Sequence, residues 1–307
     1  MKHASLIIAH GNWKQLNVLL SQLDDYDNDM YIHIDAKVKN APINEIKEKI
    51  KKSKVYIIQK YKVYWGSFEL VKTEIELLKI ATKKNYDYYH LFSGADMLIK
   101  SKEYIKDFFE QNKGLEFAHF DTDERLKKDK ELYRRTACYH FFTNYRKRYK
   151  LKALNNFFTF LERCSLAIQI LLGVNRTKKY NFRIKYGSQW FSITNELAKY
   201  IISKEDKINQ VFNKTKCADE LFVQTIIYNS KFKEKLYDKN FDDSCLANMR
   251  LIDIKNRGKD GSPYTWQIQD YNEINESKCL FARKFDMNKD KLIVEKILKN
   301  TMGEKYE

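Results

Sequence analysis

A carboxylate near the middle of the second half of this sequence has the chemistry of a general base. Glu220 ends the segment Cys217-Ala-Asp-Glu220, and the apolar residues that follow predict a helix ending near Tyr228. A general base is a carboxylate held on a rigid element at the mouth of a pocket. The positive end of a helix dipole would equally stabilise Asp219 and Glu220 with no catalytic role. From the residues alone, both interpretations of Glu220 stay open.

An adjacent pair of cations lies near the C-terminus. Arg283 and Lys284 stand between aromatic residues in Phe281-Ala-Arg-Lys-Phe-Asp286. Arginine offers a planar, bidentate fork and lysine a point charge, a combination that suits a diphosphate. The alternative is a surface salt bridge to Asp286, which would have little energetic effect.

Further carboxylates follow predicted strands. Asp35 ends Tyr31-Ile-His-Ile-Asp35, and Asp96 ends Ser93-Gly-Ala-Asp96. At strand ends of a nucleotide-binding sheet, such groups accept hydrogen bonds from ribose or base; otherwise they cap the next helix.

Asp121-Thr-Asp123 matches the D-x-D pattern of many divalent-cation sites. So short a pattern arises by chance, and a charged surface segment follows it. A metal role is therefore disfavoured.

Strands that alternate with helices position these groups. Short apolar runs predict strands, and apolar residues three and four apart predict helices over 70–81 and after Ser101, a good N-cap. In the first helix Val71, Ile75 and Leu78 share the buried face, and Glu74 is expected to point elsewhere. Alternation predicts an α/β fold with a mostly parallel sheet flanked by helices, and ligands at the carboxyl ends of its strands. The predicted strands are 6–9, 30–34, 55–58, 88–92 and 116–120.

Composition narrows the class of protein. The 307 residues are 43% hydrophobic with a net charge of +16, which excludes wholesale disorder and predicts an anionic partner. Five cysteines without a C-x-x-C pair predict free thiols in a reducing compartment. A membrane-spanning helix requires about 18 consecutive apolar residues. The sequence contains no such run, so no membrane span is predicted. Dinucleotide, P-loop, zinc-protease and hydrolase motifs are absent from the sequence.

The middle of the chain has a different character. A basic cluster at 145–150 precedes the amphipathic stretch 151–173, and Arg176, Lys178 and Lys179 follow it. Basic flanks around an amphipathic helix are typical of a segment lying in an anionic membrane interface. An ordinary packed helix with solvated flanks has the same pattern.

Seven short motifs in order resemble one family. They are Leu-Ile-Ile-Ala-His10, Tyr-Ile-His-Ile-Asp35, Trp65-Gly-Ser67, Leu-Phe-Ser-Gly-Ala-Asp96, Gly-Ser-Gln-Trp190, Ala-Asp-Glu220 and Phe-Ala-Arg-Lys-Phe-Asp286. Together they resemble the core-2/I-branching β-1,6-N-acetylglucosaminyltransferase and peptide O-xylosyltransferase family, glycosyltransferase family 14. The matches extend from residue 6 to residue 286 and so cover nearly the whole chain.

The resemblance implies a GT-A type fold, one domain over 1–307 with a basic amphipathic insertion around 134–179, and an inverting, metal-independent transfer from a UDP-sugar. It also implies which residues form the active site. Glu220 matches the catalytic base, and Arg283 and Lys284 match the pair that neutralises the departing UDP. The remaining expected site residues are His10, Asp35, Trp65 and Asp96 for the nucleotide-sugar, and Gln189, Trp190 and Asp219 for the acceptor. Trp190 is nearly as well explained as a core residue.

The expected donor is UDP-N-acetylglucosamine, with UDP-xylose and UDP-galactose as alternatives, and the expected acceptor is a glycan or a lipid-linked oligosaccharide. Because the chain begins at its first strand and its cysteines are unpaired, we expect a bacterial, cytoplasmic member, peripheral on the inner face of the membrane and acting in capsule or exopolysaccharide synthesis. A basic nucleic-acid-binding protein is the alternative from another class. No RRM, KH, helix-turn-helix or zinc-finger pattern supports it, so no nucleic-acid partner is expected.

Overall fold

The computed structural model describes residues 1–145, 148–258 and 261–303. In these ranges helices alternate with strands through the first third of the chain. The strands are β1 (His3–Ala9), β2 (Asn28–Ile34), β3 (Val55–Ile58), β4 (Tyr88–Ser93), β5 (Asp96–Leu98), β6 (Phe117–Ala118), β7 (Phe191–Thr194), β8 (Arg250–Ile252) and β9 (Phe281–Arg283). The α-helices are α1 (Trp13–Leu23), α2 (Ile43–Lys49), α3 (Glu69–Ala81), α4 (Lys102–Gln111), α5 (Asp123–Lys128), α6 (Lys130–Ala137), α7 (Lys152–Leu171), α8 (Asn195–Ser203), α9 (Glu205–Phe212), α10 (Phe222–Tyr228), α11 (Tyr271–Glu276) and α12 (Lys291–Met302).

The central sheet has six strands in the order β3-β2-β1-β4-β7-β6. Strands β3, β2, β1 and β4 are parallel, while β7 runs antiparallel between β4 and β6. The start of β7 therefore lies at the same edge as the carboxyl ends of its neighbours. The expected α/β class with a mostly parallel sheet flanked by helices is confirmed.

Helices cover both faces of this sheet. Helices α3, α8 and α10 pack on one face, and α1 and α4 pack on the other, which gives two apolar layers. Val71, Ile75 and Leu78 are buried as predicted for α3, and Ser101 caps α4 by accepting a hydrogen bond from the backbone N–H of Tyr104. The expectation for Glu74 is wrong, because its side chain is fully buried. Its carboxyl oxygen Oε1 lies 3.5 Å from Gln189 Nε2, inside the protein rather than in solvent.

A second, three-stranded sheet has the order β5-β9-β8. Its strands are three residues long, too short to show a period in the sequence, and the sequence did not predict them. The antiparallel register of β5 and β9 places Asp96 directly opposite Arg283. This small sheet therefore brings together two site residues that are 187 positions apart.

The amphipathic stretch forms α7, and its basic flank at 145–150 includes Arg146 and Lys147, which lie outside the described residues. Within the described ranges, no helix has both the length and the apolarity that crossing a membrane requires.

Candidate functional site

A cleft of about 1030 Å³ opens at the carboxyl edge of the central sheet. His10 follows β1, Asp35 follows β2, and Ser93 ends β4, so the strand ends deliver these side chains to one edge as predicted. Trp65, Gln189, Trp190, Asp219, Glu220 and Arg283 also line the cleft. The structure therefore brings together all of the predicted site residues except Asp96 and Lys284, which lie behind the lining.

Asp96 holds Arg283 in place. The Arg283 guanidinium donates from Nη1 to Asp96 Oδ1 at 2.7 Å and to Ser93 Oγ, and it lies 4.5 Å from the centre of the Trp190 ring. Asp96 also accepts from the Ser93 backbone N–H at 2.8 Å. A guanidinium fixed by a carboxylate below and an indole beside it is pre-positioned for an anion in the cleft. Arg283 pairs with Asp96, and not with Asp286 as in the salt-bridge alternative.

Trp190 is 7% exposed and belongs to the core cluster on the α3 side of the sheet. Its ring contacts Arg283, and its backbone carbonyl accepts a hydrogen bond from Asn248 at 3.0 Å. These contacts support the core alternative, in which Trp190 shapes the floor of the cleft and orients Arg283.

Lys284 lies behind the rim of the cleft. Its ammonium donates to Ser262 Oγ at 3.0 Å, and Ser262 is a lining residue. Of the expected cation pair, therefore, Arg283 faces the cleft directly, while Lys284 stands one side chain away.

Glu220 lies on the other side of the cleft, with 32% of its side chain exposed. It ends a single 3-10 turn at Ala218–Glu220, just before α10, and its carbonyl accepts from the Gly187 N–H at 3.0 Å. Arg135 of α6 donates to Glu220 Oε2 at 2.9 Å. Arg135 therefore holds the Glu220 carboxylate in place while leaving it access to the cleft, and a general base needs such a fixed, accessible position.

Two buried carboxyl groups stand behind Glu220. Burial raises the pKa of Asp219, and the neighbouring Glu220 raises it further. Burial also raises the pKa of Glu74 well above its ordinary value, with Asp219 adding to the effect. Gln189 Nε2 lies 3.5 Å from Glu74 Oε1 and links this pair to the cleft. These environments favour the protonated form of Asp219 and Glu74.

The nucleotide side of the predicted site contains His10, Asp35 and Trp65. Asp35 is 5% exposed, and its carboxylate accepts from the Lys37 backbone N–H at 2.8 Å and lies 3.3 Å from the Lys37 ammonium. Trp65 is 61% exposed at the opening, with the Lys216 ammonium 5.3 Å from the ring centre. An exposed indole beside a fixed carboxylate offers a stacking surface and a hydrogen-bond acceptor.

Cations pair with both carboxylates of the D-x-D segment. Asp121 pairs with Arg125, and Asp123 pairs with Lys185. Thr122 caps α5 by accepting from the Arg125 N–H at 3.2 Å. The part of the chain that the structure describes contains no group of three or more His, Cys, Asp or Glu side chains that could hold a metal ion.

Sequence reasoning missed Arg135 and Arg250, which also line the cleft. Arg135 was included only in the basic insertion, since nothing local relates it to a glutamate 85 residues away. Arg250 is 3% exposed and donates to the carbonyls of Asn248 and Phe191, each at 2.7 Å. Burial lowers the pKa of Arg250 to about 9, and Asp96 opposes that shift. A lone arginine at the start of a three-residue strand gives no sequence signal for such a role.

The fold and the cleft define an α/β protein with a polar cleft at the carboxyl edge of a mostly parallel sheet. The model of the core-2/I-branching enzyme family matches residues 4–277, so the chain belongs to this family. It is a glycosyltransferase, as the motifs predicted. Membership implies a nucleotide-sugar donor and a glycan acceptor.

No curated protein matches the chain. Among solved structures, mouse xyloside xylosyltransferase 1 in its apo form is 9% identical, with 92% of this chain and 96% of that chain covered and a TM-score of 0.38. S. aureus TarS 1-349 is 14% identical, with 75% and 56% covered and a TM-score of 0.39. The chain spans 20% of the longer S. aureus TarS chain, at 13% identity over 36% of its own length and a TM-score of 0.30. With TM-scores below 0.5, the similarity of these structures to this chain is weak.

Proposed function

We propose that this protein is an inverting glycosyltransferase that moves a sugar from a UDP-sugar to a glycan hydroxyl and forms a β-linked product. One observation carries the proposal: the Glu220 carboxylate and the Arg283 guanidinium line the same cleft, and each is held by a partner of opposite charge. A base for the incoming hydroxyl and a cation for the departing diphosphate are the two groups that this reaction needs.

In the proposed reaction the acceptor hydroxyl attacks C1 of an α-linked UDP-sugar from the face opposite the diphosphate. The bond from the acceptor oxygen to C1 forms as the bond from C1 to the diphosphate oxygen breaks. The hydroxyl proton passes to Glu220, and the electron pair leaves with UDP. Arg283 stabilises the charge that develops on the diphosphate, and because Asp96 and Trp190 already fix its guanidinium, little reorganisation is needed.

We propose that no metal ion takes part, because Arg283, with Lys284 behind it, supplies the positive charge. The test is transfer in the presence of EDTA. Activity that persists in EDTA supports the proposal. Activity that EDTA abolishes and Mn²⁺ restores overturns it.

For the donor we propose UDP-N-acetylglucosamine, with Asp35 and His10 contacting the nucleoside and Trp65 stacking on it. A panel of UDP-sugars, measured by thermal stabilisation and slow donor hydrolysis, tests class and donor together. Stabilisation by UDP-xylose or UDP-galactose alone would reassign the donor sugar. Stabilisation by none, with a salt-sensitive shift of nucleic acid, would instead favour the nucleic-acid alternative.

For the acceptor we propose a lipid-linked oligosaccharide, as capsule or exopolysaccharide synthesis would supply, bound near Gln189 and Asp219. Support comes from the exposed apolar side chains of α7 and from Arg148, just before this helix, whose guanidinium lies 5.7 Å from the ring centre of the lining residue Tyr64. Transfer to a lipid-linked oligosaccharide in vesicles, compared with the same glycan released from lipid, measures the preference directly.

The decisive variant is Glu220→Gln, with Glu124→Gln as its matched control, since Glu124 is 80% exposed on α5. We expect Glu220→Gln to lower kcat by a factor of about 100 or more while UDP binding persists, and the control to behave as wild type. If Glu220→Gln retains full transfer, Glu220 is not the base and the proposed mechanism fails.

A further inference from the structure

Helix α7 has its polar side toward the protein and its apolar side toward solvent. The buried residues of this 20-residue helix are Glu162 and Gln169. On the outward side Phe157 is 53% exposed, Phe160 61% and Leu171 86%. This arrangement is the reverse of an ordinary surface helix, whose apolar stripe packs on the core.

Specific hydrogen bonds hold the helix in this orientation. Glu162 Oε1 lies 2.6 Å from His140 Nδ1, and Glu162 Oε2 accepts from the Phe142 N–H at 2.9 Å. Gln169 accepts from the Tyr139 N–H at 2.7 Å and donates to the Tyr139 carbonyl at 2.9 Å. Turning the helix to bury its apolar side would break these bonds and leave buried polar groups unpaired. The exposed stripe is therefore built into the fold.

At 100° per residue six exposed apolar side chains fall within an arc of about 120° on one side of the helix, and exposed Ile170 lies outside that arc. We call this side the α7 face; it consists of Leu154, Phe157, Phe160, Ile168, Leu171 and Leu172. Single exposed apolar residues are common, but a contiguous set of this size marks an interaction surface.

We propose that the α7 face inserts into the interface of a bilayer that contains anionic lipid. Exposed cations flank it, namely Arg148, Lys150, Lys152, Arg163, Lys178 and Lys179, and the one acidic residue of α7, Glu162, is buried. A second copy of a chain with net charge +16 would bring the same cations together and repel. An anionic lipid surface complements both the apolar stripe and its basic surroundings.

The segment that leads into α7 lies beside the cleft. The Arg148 guanidinium is 5.7 Å from the centre of the Tyr64 ring, and Tyr64 lines the cleft. Helix α6, which precedes this segment, carries the Arg135 that pairs with Glu220. A membrane bound at α7 would therefore lie near the opening. The inference stands on the exposed face and does not depend on the transferase reaction.

The test is co-flotation of the full-length protein with vesicles of phosphatidylcholine alone and of equal parts phosphatidylcholine and phosphatidylglycerol. The perturbed variant is Phe157→Ser with Phe160→Ser. The matched control is Tyr26→Ser with Leu292→Ser, whose side chains are 80% and 62% exposed elsewhere on the surface. All four side chains are exposed, so both double variants should fold, and circular dichroism checks that they do.

We expect binding to the anionic vesicles at least tenfold stronger than to phosphatidylcholine, since each nearby cation adds roughly fivefold. The Phe157/Phe160 variant should lose at least tenfold in partitioning, while the control stays at the wild-type level. Absence of binding to anionic vesicles, or an equal loss in both variants, overturns the proposal. A dimer that the Phe157/Phe160 variant dissolves, without lipid binding, would assign the face to a second copy instead. Vesicle binding by a protein inactive on every UDP-sugar would refute the proposed function and leave this inference standing.

Discussion

Replacing Asp96 by asparagine should destabilise the protein strongly, although Asp96 does not line the cleft. The Asp96 carboxylate is 3% exposed and pairs with Arg283. It also opposes the burial that lowers the pKa of Arg250. Asp96→Asn keeps the shape of the side chain but removes the negative charge between two guanidiniums. It also replaces one acceptor oxygen by a donor, so either Ser93 or Arg283 loses a hydrogen bond.

The magnitude follows from the burial of the pair. Removing one partner of a buried ion pair costs about 3–5 kcal/mol, because the other charge remains without compensation. The Arg283 side chain is 21% exposed and can relax toward solvent, so the lower end of that range applies. We expect a loss of about 3 kcal/mol, which is roughly two orders of magnitude in the unfolding equilibrium.

Urea-induced unfolding followed by tryptophan fluorescence measures this loss. Asp107→Asn is the control, since Asp107 is an exposed residue on α4, and it should change the free energy of unfolding by less than about 0.5 kcal/mol. A stability for Asp96→Asn within the same limit would refute the reasoning. If that stable variant no longer bound UDP, Asp96 would contact the nucleotide directly instead of positioning Arg283.

Three further perturbations test other parts of the site and fold. Arg135→Met should lower kcat by a factor of about 10 to 100 while UDP binding persists, because the hydrogen bond that fixes the Glu220 carboxylate in the cleft is gone; a wild-type kcat would deny Arg135 this positioning role. Burial raises the pKa of Glu116 from 4.5 to about 7. The protonated group therefore contributes fully to the free energy of unfolding below pH 4.5, and this contribution, about 3 kcal/mol, is lost as the pH rises through 7. Glu116→Gln should flatten that fall in urea titrations from pH 4 to 8, and an unchanged slope would contradict the assignment. Gly187→Ala should lower stability by about 1–3 kcal/mol or more in thermal unfolding, since the added Cβ would lie 2.0 Å from the His119 carbonyl oxygen; wild-type stability would show that the loop can move.

The parts of the site that lie at strand ends were predictable from the sequence. His10 and Asp35 each follow a buried apolar run, and parallel strands in register bring their carboxyl ends to one edge. The alternation of apolar runs with helical spacing was enough to predict the sheet and the edge at which the cleft opens. Strand β6 was predicted as 116–120 but is only Phe117–Ala118, because the chain leaves the sheet at His119 to line the cleft.

Contacts between distant short elements were not predictable. Asp96 meets Arg283 only because two three-residue strands pair in a particular register, and strands that short leave no periodic signal. Arg135 meets Glu220 through the packing of α6, a helix whose sequence is merely basic and amphipathic. Glu74 has the sequence pattern of a surface position on α3, yet it is buried because the 3-10 turn that carries Asp219 covers that side of the helix.

The pairing of charges in the cleft favours the proposed UDP-sugar ligand over the nucleic-acid alternative that a net charge of +16 also allows. A protein that binds nucleic acid without sequence preference presents cations that await phosphate along a continuous groove. Here three of the guanidiniums that line the cleft already lie against carboxylates, so much of the positive charge of the cleft is paired before a ligand enters. Such pairing suits one compact anion whose charge grows during the proposed reaction. Asp96 already holds Arg283 in place, so the guanidinium needs little movement to stabilise that charge. The pairs are Arg283 with Asp96, Arg135 with Glu220, and Arg125 with Asp121.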